Sequence, residues 1–266
     1  MTEISKMVDF NRKWKKHLTE GLPYEPDPLN MPSFEVNDRL NPALWATDDF
    51  FDPDVRNKLI QIAADFLQNA EIEGEVVDLT VTGSMANFNW TKFSDIDLHI
   101  VINFRDIGPD IELIRELFKQ RTINWNLTHN IMIYDHEVEI YVQNKDEPHV
   151  SSGIYSLLSN RWIVRPTLDK PRIDYAPIEE KVENLVTKIE KVENLFNSER
   201  FYEAYDYSKR IKRKIKKMRQ CGLEKGGVFS TENLAFKHLR NTQFLEKLRD
   251  FHNMSYDKML SLDEKR

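Results

Sequence analysis

The segment Asp95-Ile96-Asp97-Leu98-His99-Ile100 restricts the possible folds more than any other stretch of the chain. Polar and apolar residues alternate there, and side chains on a β-strand alternate between two faces. The spacing predicts a strand over 96–102, with Ile96, Leu98 and Ile100 turned into a core and Asp95 and Asp97 sharing the opposite face. Two adjacent carboxylates repel each other, so a strand that presents them calls for a compensating cation. Mg²⁺ is the natural one, because it takes one or two carboxylates together with phosphate oxygens and water.

Upstream, Glu75–Thr82 alternates and is rich in β-formers, which predicts a second strand ending at Gly83-Ser84. Glycine lets the backbone turn tightly and lets a ligand approach without a Cβ in the way. Ser84 is then expected to open a short helix whose free N–H groups and hydroxyl hold a phosphate. A phosphate cradle and a metal pair on neighbouring strands are the parts that metal-assisted nucleotidyl transfer requires. A third carboxylate would complete the second metal site and receive or orient the nucleophile's proton. The stretch His136-Glu137-Val138-Glu139-Ile140-Tyr141-Val142 offers two candidates. Glu139 is favoured because its apolar flanks place it inside the sheet, and Glu137 lies on the same face, two residues nearer the turn.

The remaining pattern predicts an α+β fold: a small mixed sheet with helices, followed by a helical domain. Asp52-Pro53 is a helix start, with Val55, Leu59, Ile62, Ala63, Phe66 and Leu67 at helical spacing. A helix is expected over Asp110–Asn124. Short strands are expected at Ile131–Asp135 and Val138–Gln143, with His136 and Glu137 near the turn between them. Pro166, Pro171 and Pro177 mark the change to helical sequence, with helices expected at Glu179–Phe196, Glu199–Met218, Asn233–Leu248 and Asp250–Leu260. The expected organisation is a lead-in at 1–50, a catalytic domain at 51–170 and a helical domain at 171–266. Within the lead-in, a short helix is expected around Asp9–Leu18. Prolines at 23, 26, 28 and 32 follow it, and Leu40–Trp45 is expected to pack back onto the core.

Gly83-Ser84 followed by Ser94-Asp95-Ile96-Asp97-Leu98 resembles the signature of the DNA polymerase beta-type nucleotidyltransferase superfamily, and is especially similar to the minimal and aminoglycoside nucleotidyltransferases. The likeness covers about residues 55–143. Gly83–Trp90 and Asn41–Trp45 also resemble nucleotidyltransferase-like proteins encoded by bacteriophages. The resemblance implies that Gly83 and Ser84 bind a nucleoside triphosphate such as ATP, that Asp95 and Asp97 bind two Mg²⁺ ions (or Mn²⁺), and that Glu139 is the third acid. The implied activity is transfer of a nucleoside monophosphate to a hydroxyl acceptor with release of pyrophosphate. The acceptor is left open among a protein, an RNA 3′ end, a small molecule and a second nucleotide. A fold that retains binding without catalysis, and template-independent RNA tailing, are the competing readings. One departure concerns Asn87, which stands where the minimal enzymes tend to have an arginine.

A formal net charge of −6 argues against a dedicated duplex-DNA binder, while leaving room for a local basic patch. Lys209–Arg219 is such a patch. It reads either as the solvated face of an amphipathic helix or as cations, Lys209 and Lys212 among them, that neutralise a triphosphate tail or an RNA backbone. Tyr202, Tyr205 and Tyr207 lie just upstream and offer core packing or base stacking. Asn160-Arg161-Trp162 is a further base or phosphate candidate. His99 shares the aspartate face, either beside the metals or as a half-exposed strand residue. The single cysteine, Cys221, allows neither an internal disulfide nor a cysteine-rich zinc site. No signal-peptide core or bilayer-length apolar run is found, so a cytoplasmic protein with no membrane partner is expected.

Overall fold

The computed structural model describes residues 34, 36–70, 74–148 and 151–262. The expected helix near Asp9–Leu18 and the prolines that follow it lie outside the described residues. The fold is α+β, and the chain divides into two compact units, Ser33–Arg172 and Ile173–Arg266.

The first unit is built on a mixed six-stranded sheet. Its strands are β3 (Val76–Thr82), β4 (Ile96–Ile102), β5 (Met132–Ile133), β6 (His136–Asn144), β7 (Ile154–Ser156) and β8 (Arg161–Val164), in the order β5-β6-β4-β3-β7-β8. β4 and β6 run parallel, and the other neighbours are antiparallel. A parallel pair needs a crossover, and helix α2 (Ile111–Thr128) lies between these two strands in the chain. Helix α1 (Pro53–Asn69) begins as its sequence requires. The Asp52 carboxylate accepts from the N–H groups of Asp54 and Val55 at 2.9 and 3.2 Å, and Pro53 takes the first turn.

Val55, Leu59, Ile62, Ala63 and Phe66 of α1 join Ile114, Phe118 and Trp125 of α2 in one core with Val81, Ile96, Leu98, Ile100, Val138 and Ile140. The strand residues between them carry the polar side chains, so the sheet has an apolar face and a carboxylate-bearing face. Residues 36–51 belong to this unit, and Leu40–Trp45 packs onto its core as expected. Leu40, Leu44 and Trp45 are buried, and a two-stranded ribbon, β1 (Trp45–Thr47) with β2 (Phe50–Phe51), packs on the sheet. Trp45 stacks on Trp162 of β8 with centroids 4.7 Å apart. Of the Asn160-Arg161-Trp162 candidate, Asn160 and Trp162 are thereby tied to the interior, while Arg161 is exposed. Asn160 turns the β7–β8 hairpin at φ 52° and accepts from the Tyr155 hydroxyl, while the Trp162 indole donates to the Asp48 carbonyl.

The second unit consists of α3 (Ala176–Asn197), α4 (Phe201–Gly226), α5 (Thr231–Asn241) and α6 (Phe244–Leu260). Ile178, Val182, Leu185, Ile189 and Val192 recur at alternating steps of four and three along α3. They meet Ala204, Ile211 and Ile215 of α4 and Leu234, Ala235 and Leu239 of α5 within a buried interior. The last two helices differ from the expectation of Asn233–Leu248 and Asp250–Leu260. The break falls at Thr242-Gln243, where Gln243 takes a left-handed conformation at φ 62°, and no glycine or proline announces it. No helix among the described residues is long and apolar enough to cross a membrane.

The β5–β6 hairpin turns on Tyr134 and Asp135, both at positive φ (44° and 65°), the pattern a type I′ turn demands and that Asn-Gly meets at least cost. The Tyr134 side chain is 61% exposed, so little packing offsets this strain. Replacing the pair by Asn-Gly is expected to stabilise the unit by about 1 kcal/mol, read as a higher urea midpoint. A lower midpoint would show that the Tyr134 ring contributes more than the turn costs.

Candidate functional site

The polar face of the sheet gathers its carboxylates on two adjacent strands. In the parallel β4–β6 ladder, Asp97 stands opposite Glu139, Ile96 opposite Val138, and His99 opposite Tyr141. The even-spaced residues Ile96, Leu98, Ile100, Val138 and Ile140 are buried, whereas Asp95, Asp97, His99, Glu137 and Glu139 are half-buried on the other face. The three expected acids, Asp95, Asp97 and Glu139, therefore lie on one face, and Glu137 shares it. Burial raises the Glu137 carboxyl above its ordinary value, and the charges of Glu139 and Asp95 raise it further. That is the signature of carboxylates crowded into a site short of positive charge.

Gly83 joins this group from β3. Its φ is +72°, and a Cβ there would lie 1.8 Å from the Asp97 carboxylate oxygen Oδ2. The Asp97 carboxylate thus occupies the space that any other residue's Cβ would fill, and the turn and the metal candidate require each other. Ser84 opens a short helix as expected, a single 3-10 turn at Ser84–Ala86. Its hydroxyl donates to Ser94 Oγ at 2.8 Å, and Ser94 Oγ in turn accepts from the Thr91 N–H at 2.9 Å. Holding a phosphate oxygen through the Ser84 O–H means exchanging the first of these bonds. A segment preceding β7 closes on the same turn. The carbonyl of Ala86 would lie 1.9 Å from a Cβ on Gly153, and Asn87 Nδ2 donates to Ser152 Oγ at 2.7 Å. Asn87, standing where an arginine is usual in the resembling enzymes, therefore braces the loop.

Around the acids stand His99, which the sequence had placed on their face, and Tyr141 and Asn41, which sequence reasoning missed. The Tyr141 hydroxyl donates to Glu139 Oε2. Loss of hydration raises the Tyr141 pKa strongly, and Glu139, Asp97 and Asp95 add to it, so the hydroxyl stays a neutral donor. His99 stacks on the Tyr141 ring with centroids 5.1 Å apart. Its Nδ1 lies 2.7 Å from Gln143 Oε1 and its Nε2 lies 3.1 Å from the Thr82 hydroxyl. Beneath the loop that carries Asp95, His136 is buried. Its Nδ1 donates to the Ser94 carbonyl at 2.8 Å, and its Nε2 accepts from Asn41 Nδ2 at 3.0 Å. Asn41 is itself oriented by the Ala43 N–H on its Oδ1. A neutral imidazole thus links the segment before β1 to the residue preceding Asp95. Period-two reading of β6 reaches Tyr141, but no signal in the sequence pairs Asn41 with a histidine ninety-five positions away.

Lys209 and Lys212 belong to the helical unit, on α4. Lys209 Nζ lies 5.8 Å from the Tyr205 ring centre, and burial together with Arg249 lowers Lys212 below the ordinary ammonium value. Tyr205 stacks on His252 of α6 at 4.7 Å, which makes it a packing residue.

Oxygen-only donors, Asp97 and Glu139 opposed across a ladder with Asp97 seated in the hollow left by a glycine, suit a hard divalent cation. Among the described residues, no three acidic, histidine or cysteine side chains already converge as a finished ligand set. Comparison with family models, with curated proteins and with solved structures gives no match.

The raised Glu137 pKa has a definite consequence for stability. The folded chain holds this proton more tightly than the unfolded chain, so the associated stability is complete below the ordinary carboxylate value and is lost as pH rises through the raised one. Glu137→Gln is expected to raise the melting temperature near pH 8, with the gain vanishing in acid. A gain of equal size at both pH values would refute the electrostatic origin.

Proposed function

We propose that the chain is a divalent-cation-dependent nucleotidyltransferase that moves a nucleoside monophosphate from an NTP to a hydroxyl acceptor. The observation that carries this reading is the opposition of Asp97 and Glu139 on neighbouring parallel strands, with Asp95 on the same face and Gly83 packed against Asp97. The resemblance of Gly83-Ser84 and Asp95-Ile96-Asp97 to the polymerase beta-type superfamily supports it. Asp95 and Asp97 would hold both Mg²⁺ ions and Glu139 would complete the second. Bound there, the ions supply charge neutralisation at the α-phosphate and lower the pKa of the attacking hydroxyl.

The chain's own residues do the rest. The Gly83-Ser84 turn receives the β- and γ-phosphates, with the Ser84 hydroxyl released from Ser94 to donate to them. The acceptor oxygen forms a bond to the α-phosphorus as the bond from phosphorus to the β-bridging oxygen breaks. The electron pair leaves with pyrophosphate. Glu139 takes the acceptor's proton, and Tyr141 orients the Glu139 carboxylate through its hydroxyl. Gly83, which admits no Cβ beside Asp97, keeps that carboxylate at the turn.

A second reading is favoured by the lack, among the described residues, of a converged ligand set. In it the fold binds nucleotide without turnover. Incubating the chain with Mg²⁺ or Mn²⁺ and each NTP, with a panel of protein, RNA and small-molecule acceptors, separates the two. Pyrophosphate release by wild type, reduced at least about a hundredfold in Asp97→Asn, is the expected result. Binding of NTP with no pyrophosphate from any acceptor would favour the scaffold, and absence of both would remove the nucleotide reading altogether.

A further inference from the structure

The helical unit carries a charge distribution that the proposed transfer reaction does not use. Between Asp206 and Glu224, α4 contains no acidic residue, and eight of the eleven residues from Lys209 to Arg219 are cationic. At 100° per residue, Ile211 and Ile215 point inward and are buried, and the cations cover nearly the whole remaining arc. Among the described residues no ion pair involves Arg213, Lys214, Lys216 or Lys217, and all four are exposed. Two lysines of neighbouring helices lie beside this run. Burial and the nearby Lys214 lower Lys188 of α3, while burial, Arg240 and Arg219 bring Lys237 of α5 down to about 8. A one-signed, exposed run of this kind concentrates polyanions at its surface.

The N-terminal end of the same helix differs in chemistry. There an open groove of about 270 Å³ is lined by Lys191, Arg200, Tyr202, Tyr207 and Arg210 among others. Tyr207 lies between two cations, Lys191 at 5.1 Å and Arg210 at 5.5 Å from its ring centre. Arg200 and Arg210 are paired with Glu203 and Asp206, so the groove is nearly balanced in charge. Its distinctive group is Tyr202, an aromatic side chain that is 69% exposed. The surface therefore combines an uncompensated cationic run with an open aromatic platform.

We propose that the helical unit binds single-stranded nucleic acid along the solvent face of α4, with phosphates on Arg213, Lys216 and Lys217 and a base stacked on Tyr202. Tyr202 to Lys217 spans about 22 Å of helix, the length of roughly six stacked nucleotides. An anionic membrane fits less well. The apolar residues Ile211 and Ile215 are already buried in the bundle, which leaves α4 no face to insert into lipid. Duplex DNA would offer its phosphates but no unstacked base for Tyr202. The proposal is independent of the carboxylate site and holds whether or not the chain transfers nucleotides.

The test is fluorescence anisotropy of a labelled twelve-nucleotide single-stranded RNA with the full chain, without NTP or divalent cation, from 50 to 200 mM salt. Wild type is expected to bind, with a log–log salt slope of about −2 to −3, corresponding to three or four neutralised phosphates. The triple variant Arg213→Gln/Lys216→Gln/Lys217→Gln is expected to weaken binding at least tenfold and to flatten the slope by about 2. Tyr202→Ala is expected to weaken it between about fivefold and a hundredfold while leaving the slope unchanged. Because Tyr202 is exposed, that variant stays informative even if circular dichroism shows the triple variant to be misfolded. Asp97→Asn is expected to bind RNA as wild type does. Three results would overturn the proposal: no binding at 50 mM salt, duplex or anionic vesicles bound as tightly as the single strand, or Tyr202→Ala with no effect.

Discussion

Asp97 and Glu139 stand side by side across the parallel β4–β6 ladder, and that juxtaposition of like charges sets the terms for everything around it. Neighbouring strands are about 4.8 Å apart, so two ionised carboxylates in register repel each other in a half-buried site. The fold absorbs the repulsion in two ways. The Tyr141 hydroxyl donates to Glu139, and burial, with the charges of Glu139 and Asp95 added to it, raises the proton affinity of Glu137. Neither supplies a positive charge. A divalent cation would, which is why the electrostatics of this face and the proposed chemistry are one question.

The site is also fastened mechanically. Gly83 cannot become another residue without displacing the Asp97 carboxylate. Gly153 cannot do so without displacing the Ala86 carbonyl, so the turn is pinned from both sides. The buried chain Asn41–His136–Ser94 ties the loop before Asp95 to the start of β6 and to the segment before β1. The carboxylates thus sit on regular strands while their surroundings are set by close backbone approaches and a neutral imidazole. Such an arrangement is pre-organised, which is what charge stabilisation in a transition state requires.

Much of this was legible in the sequence because two periods carry it. Alternation along 95–102 and 138–142 placed Ile96, Leu98, Val138 and Ile140 inward and the acids outward, and the structure has the same faces. Helical spacing located α1, α2 and the first half of the helical unit. What was not legible is non-local or unsignalled. Strands β7 and β8 are three and four residues long, too short for alternation to register. The break at Gln243 has no glycine or proline, and the burial of His136, which does follow the turn directly, has no signal in the sequence. The Ser84 hydroxyl was expected to face a phosphate, yet its bond to Ser94 depends on a loop closure that only three dimensions reveal. The basic run on α4 was visible as composition. The lack, among the described residues, of carboxylate partners at Arg213, Lys214, Lys216 and Lys217 was not.

The most direct measurement is uptake of Mn²⁺ by the full chain, followed as loss of the free-ion electron paramagnetic resonance signal in the presence of a non-hydrolysable NTP analogue. Stoichiometric uptake by wild type, lost in both Asp97→Asn and Glu139→Gln, is the expected result. No uptake by wild type, or uptake unchanged in both variants, would contradict the assignment of these carboxylates to a cation.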